Sequence, residues 1–220
     1  MGKVQPNYQQ KLFDDAELEL PQHDAIVRWV DRLIRERPCA LLDMVGLGYT
    51  VDEDGGPRGW QYLEPYIDHH QCGQLTYETY RETLEWATGH QPPEPTPPSI
   101  RIGKPIWEEI VQNRGGHDVG AVDLVTYIFR RSIGLRVELL WNQTRQSTWE
   151  EGSEQRIRVA FEAKTRIPAV GKLLRQIQLY RKHWPGTVFV VVAPASEFRG
   201  ETRQILEQQG VIPLIYQSNQ

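Results

Sequence analysis

The chain has 220 residues and a mass of 25.5 kDa, 39% of them apolar and 25% charged, enough for one fair-sized domain or a domain with an appendage. No run approaches the ~18 consecutive apolar residues of a membrane span, and the opening MGKVQPNYQQ lacks an apolar signal core, which points to a cytoplasmic protein. Two cysteines, Cys39 and Cys72, exclude a disulfide framework and a four-thiolate metal or iron–sulfur centre. The net charge of −4 hides a division: residues 1–100 carry 8 Lys/Arg against 17 Asp/Glu (−9), and residues 101–220 carry 17 against 12 (+5). Such asymmetry points to a polyanionic partner or to two regions with different tasks.

Residues 1–20 are polar and without a sustained period, so they read as an arm. From Asp24, an expected N-cap, Ile26, Val27, Trp29, Val30, Leu33 and Ile34 recur at helical spacing, and Pro38 marks the stop. An apolar run over 40–47 leads into an Asp/Gly-rich turn at 52–57, and residues 75–88 read as a second helix. The stretch QPPEPTPP, residues 91–98, has five prolines in eight positions; it is a stiff extended connector, neither helix nor central strand. It sits where the charge balance changes sign. It divides the chain into a mainly helical N-terminal extension, residues 1–98, and an α/β domain, residues 99–220.

Strand patterns follow at 106–111, at 119–129 (whose apolar content also allows a helix), at 135–141 and at 156–164, with a polar span, 142–155, joining the last two. A helix is expected over 170–183 and a buried strand in GTVFVVVA, residues 186–193. A helix over 198–209, stopped by Gly210, and a short strand over 211–216 complete the chain. The alternation argues for an α/β layer architecture.

Within the strand at 156–164, period two places Val159, Phe161 and Ala163 on one face and Arg158, Ala160, Glu162 and Lys164 on the other. A carboxylate and an ammonium two residues apart thus point into the same space. Glu162 can ligate a divalent cation, with the Ala163 carbonyl as an extra ligand. Lys164 can hold an attacking water or neutralise charge developing at phosphorus. Taken alone, Glu-x-Lys is a common tripeptide whose bland reading is a solvated ion pair on an edge strand. Upstream, Asp123 is the single acid in VGAVDLVTYIF. Burying it calls for a cation, a lysine or strong donors, unless it caps a turn or pairs with an arginine. Downstream, KLLRQIQLYR sets Gln176 and Tyr180 at i, i+4 on one helical face, with Lys172 a turn earlier. As plain structure, that tyrosine fills the core and that glutamine is solvated.

Together these residues resemble the PD-(D/E)XK nuclease superfamily, the restriction-endonuclease-like fold, over roughly residues 104–195. The family's order is a strand with Asp, a strand with Asp/Glu-x-Lys, then a helix. It falls here on Asp123, on Glu162-Ala163-Lys164 and on the helix whose Gln176 and Tyr180 match the Gln-x-x-x-Tyr signature of the RecB-like exonuclease branch. The resemblance implies an α/β fold with a mixed central sheet flanked by helices, and hydrolysis of nucleic-acid phosphodiesters, DNA ahead of RNA. It implies Mg²⁺ or Mn²⁺ on Asp123, Glu162 and the Ala163 carbonyl, Lys164 assisting the water, and Gln176 and Tyr180 supporting the site. The alternative is a catalytically silent nucleic-acid-binding or protein-interaction module on the same fold.

Two departures stand out. Asp123 and Glu162 stand 39 positions apart, more than the family's usual spacing. Either an inserted hairpin over 135–155 absorbs the excess, or 119–129 is a helix and Glu138 replaces Asp123. The family's first acid is not fixed either: Glu108, Glu109 and Glu36 are candidates, with Glu108 the one assigned to the metal. Arg130, Arg131, Arg136, Arg156, Arg158, Arg166, Lys172, Arg175, Arg181 and Lys182 cluster around this segment, as a phosphate backbone requires. His117 beside Asp118 is a lesser candidate for substrate contact. A zinc site from His69, His70, Cys72, His90 and Cys39 is disfavoured, because adjacent histidines on an irregular segment seldom converge on one metal. The acidic half is a candidate for homodimer contacts or for masking the basic groove.

Overall fold

Helix α1, Pro21–Glu36, starts three residues before the expected N-cap. A proline suits the first helical position because its missing N–H is not needed there, so Asp24 falls inside the first turn, where its charge favours the helix N-terminus. Ile26, Val27, Val30 and Ile34 are buried along one stripe. Pro38 both stops this helix and opens the next, α2, Pro38–Met44, which buries Leu41 and Leu42. These elements belong to a computed structural model that describes residues 21–68, 77–89, 97–140 and 145–217. The N-terminal arm, the Pro-rich connector through residue 96, and His69, His70, Cys72 and His90 lie outside the described residues.

The remaining elements are β1 Thr50–Val51, β2 Pro57–Arg58, β3 Gln61–Tyr62, β4 Tyr66–Asp68, α3 Tyr77–Thr88, β5 Arg101–Ile102, β6 Ile106–Gln112, β7 Asp118–Leu139, β8 Arg145–Ala163, α4 Val170–His183, β9 Val188–Ala193, α5 Thr202–Gln208 and β10 Val211–Ile215. The two strands expected at 119–129 and 135–141 are one 22-residue strand, β7. The polar span expected at 142–155 is, from Arg145 onward, the first part of β8. The single helix expected over 198–209 is a 3₁₀ turn, Ala195–Phe198, followed by α5.

The chain divides into two units, each discontinuous in sequence. The first draws on residues 1–47, 102–128 and 157–220, the second on 48–101 and 129–156. In the first unit the sheet runs β6-β7-β8-β9-β10. Strands β6 and β7 pair antiparallel, Ile106 opposite Val125 and Val111 opposite Gly120. Hydrogen bonds from Arg158 to Tyr127 and from Ala163 to Asp123 descend one strand as they climb the other, which makes β7 and β8 antiparallel as well. Strand β9 runs parallel to both β8 and β10. The fold is therefore α/β with a mixed sheet. The continuous burial of Phe189–Ala193 follows from a parallel neighbour on each side. Helix α4 buries Leu173, Ile177 and Tyr180, spaced four and three apart, as one helical stripe demands.

In the second unit β1 and β2 form a hairpin whose Asp52 accepts hydrogen bonds from the Gly56 N–H (2.5 Å) and Arg58 Nε (2.8 Å). Strands β3 and β4 pair parallel with the later part of β7. Ile67, Ala87, Leu135 and Val137 form the core there, with Leu84, Trp86 and Trp149 packed against it. The far part of the β7–β8 hairpin is cross-linked by Arg131 to Glu151 (3.1 Å), Arg136 to Glu150 (3.2 Å) and Ser132 Oγ to the Ser153 carbonyl (2.7 Å). This is where the excess length between Asp123 and Glu162 is absorbed.

Candidate active site

Both motif strands bring their acids to one place in the first unit. Glu162, one residue from the end of β8, is only 4% exposed. Its Oε1 lies 3.1 Å from Lys164 Nζ and accepts a 2.7 Å hydrogen bond from Gln176 Nε2 on α4. Its Oε2 is buried and has no hydrogen-bond partner among the described residues. Burial is the main cause that pushes this carboxyl up from 4.5 to about 7. Lys164 and Gln176 oppose the rise, and the charge of Asp123 adds to it.

Asp123 reaches the same corner from β7. Its Oδ2 accepts a 2.7 Å hydrogen bond from the Ala163 N–H, so a backbone group of the Glu-x-Lys segment fixes it directly. Its Oδ1 lies 3.4 Å from Nε2 of His23, a buried residue in the first turn of α1. The hydrogen bond to Asp123 raises the imidazole pKa above its ordinary 6.5 despite the opposing effect of burial. The sequence offered no signal for His23, a single polar residue at the start of a helix one hundred positions before its partner.

The Gln-x-x-x-Tyr pair works as a relay between strands. Tyr180 Oη donates to the Ala121 carbonyl on β7 (2.8 Å) and accepts from Gln176 Nε2 (3.1 Å), which also holds Glu162. Burial raises the Tyr180 pKa, so the hydroxyl keeps the proton it donates. Gln176 is thus a bound donor, not the solvated residue of the plain amphipathic helix.

The remaining candidates fall elsewhere or play other parts. Glu138 pairs with Arg136 at 3.1 Å in the second unit, and β7 is a strand throughout, so the arrangement with Glu138 in place of Asp123 does not arise. Glu36 ends α1, thirteen residues and about 20 Å of helix beyond His23. Glu108 occupies the β6 position opposite Asp123, between the pairs Trp107–Leu124 and Glu109–Val122, but its side chain is exposed and its φ is +52°. That left-handed backbone breaks the alternation of β6, and the Glu109 carboxylate accepts a 3.0 Å hydrogen bond from Tyr127 Oη. His117 is exposed in the β6–β7 turn, where its N–H donates to Asn113 Oδ1. Four of the ten clustered basic residues, Arg130, Arg131, Arg136 and Arg156, belong to the second unit rather than to the unit that carries the site.

Among the described residues no group of three or more His, Cys, Asp and Glu side chains is disposed to hold a metal ion. The donor set still suits Mg²⁺, which characteristically takes one or two carboxylates and keeps several waters. Glu162 Oε2 is a buried oxygen that lacks a donor, and Asp123 lies beside it. No protein-family model, curated protein or solved structure matches the chain.

Proposed function

We propose that the protein is a metal-dependent nuclease of the PD-(D/E)XK type, cleaving phosphodiester bonds of nucleic acid, DNA in preference to RNA. One observation carries this reading: a buried glutamate has one oxygen held by a lysine and a glutamine and the other left without a donor among the described residues, beside a second carboxylate. A buried anion in that condition is costly unless a cation completes it. A pair fashioned only for stability would satisfy both oxygens. The order of the elements supports the same reading, with Asp123 on one strand, Glu162 and Lys164 on its antiparallel neighbour, and Gln176 and Tyr180 on the helix that follows.

In this mechanism Asp123 and Glu162 hold Mg²⁺ or Mn²⁺, which supplies positive charge to the phosphoryl group under attack. Lys164, restrained by Glu162, orients the attacking water and stabilises the negative charge that grows at phosphorus. Gln176 fixes the rotamer of Glu162 so that Oε2, not Oε1, is presented. His23 anchors the far side of Asp123.

A second reading is favoured by a different observation. Both oxygens of Asp123 are engaged within the protein, by Ala163 and His23, which suits a catalytically silent nucleic-acid-binding module. Cleavage assays on single- and double-stranded DNA and RNA with Mg²⁺ or Mn²⁺ separate the two. The nuclease reading requires cleavage by the wild type and its loss in both Glu162→Gln and Lys164→Ala. Binding without cleavage under every divalent ion leaves the silent module. Cleavage retained by both variants sinks the site.

A further inference from the structure

Several of the basic residues clustered in the sequence around the motif segment are already occupied. Arg131 and Arg136 are paired with glutamates, Arg181 donates to the Gln209 and Gly210 carbonyls at 2.6 Å each, and Arg156 lies over the Phe129 ring. Arg158 differs. It shares the β8 face of Glu162 and Lys164, four residues earlier and therefore about 13 Å along the strand. Its guanidinium stacks over the Trp184 ring at 4.3 Å and stands 5.4 Å from the Tyr127 ring centroid. Its Nε is fixed 3.1 Å from Tyr127 Oη, which in turn donates to Glu109. The two Nη nitrogens carry no hydrogen bond among the described residues and are not sealed from solvent.

The side chain is thus held at its stem and plane and open at its fork. That is the arrangement in which a guanidinium recognises a phosphate, because the ring stack and the Nε bond have already removed its rotational freedom. An arginine serving only to pack against Trp184 would have no reason to leave both fork nitrogens unengaged beside a tyrosine–glutamate chain that orients its Nε. The adjoining backbone carries its own mark of constraint: Glu108 has a positive φ, and Glu109 keeps a buried Oε2 without a partner among the described residues at the base of the same chain of hydrogen bonds. Sparsely populated backbone of this kind gathers at ligand clamps.

We propose that Arg158 forms a second phosphate subsite, which grips a backbone phosphate of the nucleic-acid strand a few nucleotides from the bond cut at Glu162 and Lys164. Trp184, Tyr127 and Glu109 are its positioning residues. The subsite rests on the nuclease reading and adds to it a requirement for a strand long enough to span both points. Mononucleotide-sized phosphodiesters engage only the first.

The test measures cleavage of a short single-stranded oligonucleotide by the wild type, Arg158→Gln and Arg158→Lys, using substrates that carry one neutral methylphosphonate at each backbone position in turn. In the wild type, one position away from the cleaved bond should raise KM about tenfold or more, the scale of one charged hydrogen-bonded contact. Arg158→Gln should raise KM by a similar factor with kcat nearly unchanged. It should show no further loss from that same methylphosphonate, and it should reduce the dependence of log affinity on log salt by about 0.7. Arg158→Lys should recover the salt dependence but only part of the affinity. Should Arg158→Gln fail to fold, the lysine variant carries the methylphosphonate comparison. A methylphosphonate penalty that persists undiminished in either variant overturns the subsite. Wild-type cleavage with no sensitive position away from the cut also overturns it and leaves the nuclease reading intact. No cleavage and no salt-dependent binding by the wild type removes both.

Discussion

Glu162→Gln should remove a fall in stability that the wild type shows as pH rises. The glutamine keeps the shape of the side chain and the Gln176 contact but carries no charge. In the folded chain the Glu162 carboxyl stands at about 7, against 4.5 for the ordinary group, chiefly because of burial. The folded state therefore holds this proton more tightly than the unfolded chain between those two values, and stability must fall as pH rises through that window. At 1.36 kcal/mol per factor of ten, the full span is about 3 kcal/mol, of which roughly 2 kcal/mol or more falls between pH 5 and pH 8. The assay is urea unfolding with EDTA present at pH 5, 6, 7 and 8, comparing the two proteins at each pH. The difference in stability between wild type and variant should shift by roughly 2 kcal/mol in favour of the variant across the series. The same fall in both proteins, within about 0.5 kcal/mol, would refute the buried, cation-deficient carboxylate on which the nuclease reading stands.

The other predictions probe the neighbours of that carboxylate. Mg²⁺ should raise the unfolding midpoint more at pH 8 than at pH 6, since the metal must displace the Glu162 proton; at 100 times its dissociation constant the gain is about 2.7 kcal/mol. An equal effect in Glu162→Gln would place the ion elsewhere. Replacing His23 by Ala removes an imidazole whose folded pKa is raised, so its stabilisation is present below pH 6.5 and lost as pH climbs through the folded value. The wild type and variant should converge in alkaline urea titrations, and a constant gap would rule out the His23–Asp123 bond as the cause. Tyr180→Phe removes the hydroxyl that donates to the Ala121 carbonyl and should cost about 0.5–1.5 kcal/mol in thermal or urea unfolding; a neutral effect would show that the relay from β7 to Gln176 is not maintained in solution. Lys164→Ala should lower kcat at least about a hundredfold while strand binding survives, and an unchanged kcat removes Lys164 from the reaction.

The parts of the fold legible in the sequence are those in which local pattern and final environment agree. Val170–His183 has apolar residues at helical spacing over a single core, and Val188–Ala193 is β-branched and buried on both faces, so each element reads directly. Strand β7 defeated the pattern because Arg130, Arg131 and Ser132 interrupt the apolar run where the strand leaves one unit and enters the other. A change of core looks, in sequence, like the end of a strand. Likewise a linear reading shows a composition shift near the prolines, but not that residues 129–156 return to join residues 48–101. Asp123, Glu162, Lys164, Gln176 and Tyr180, which the structure brings together, were legible as candidates because each falls on a strand or helix pattern. His23 and the Arg158–Tyr127–Glu109 chain were invisible as partners, since they meet only through tertiary packing and a left-handed residue that no period announces.

The length of the β7–β8 hairpin has an evolutionary corollary of parity. Asp123 and Glu162 meet because residues on the two antiparallel strands face each other in one register. Lengthening or trimming both strands together by equal numbers leaves the meeting point of Asp123 and Ala163 untouched, however large the change. Removing one residue from one strand alone must create a bulge or turn every following side chain to the opposite face. Insertions and deletions in related chains should therefore come in matched pairs across this ladder. The distance along the sequence between the two acids is free to drift, while the register that sets Asp123 against Ala163 is not.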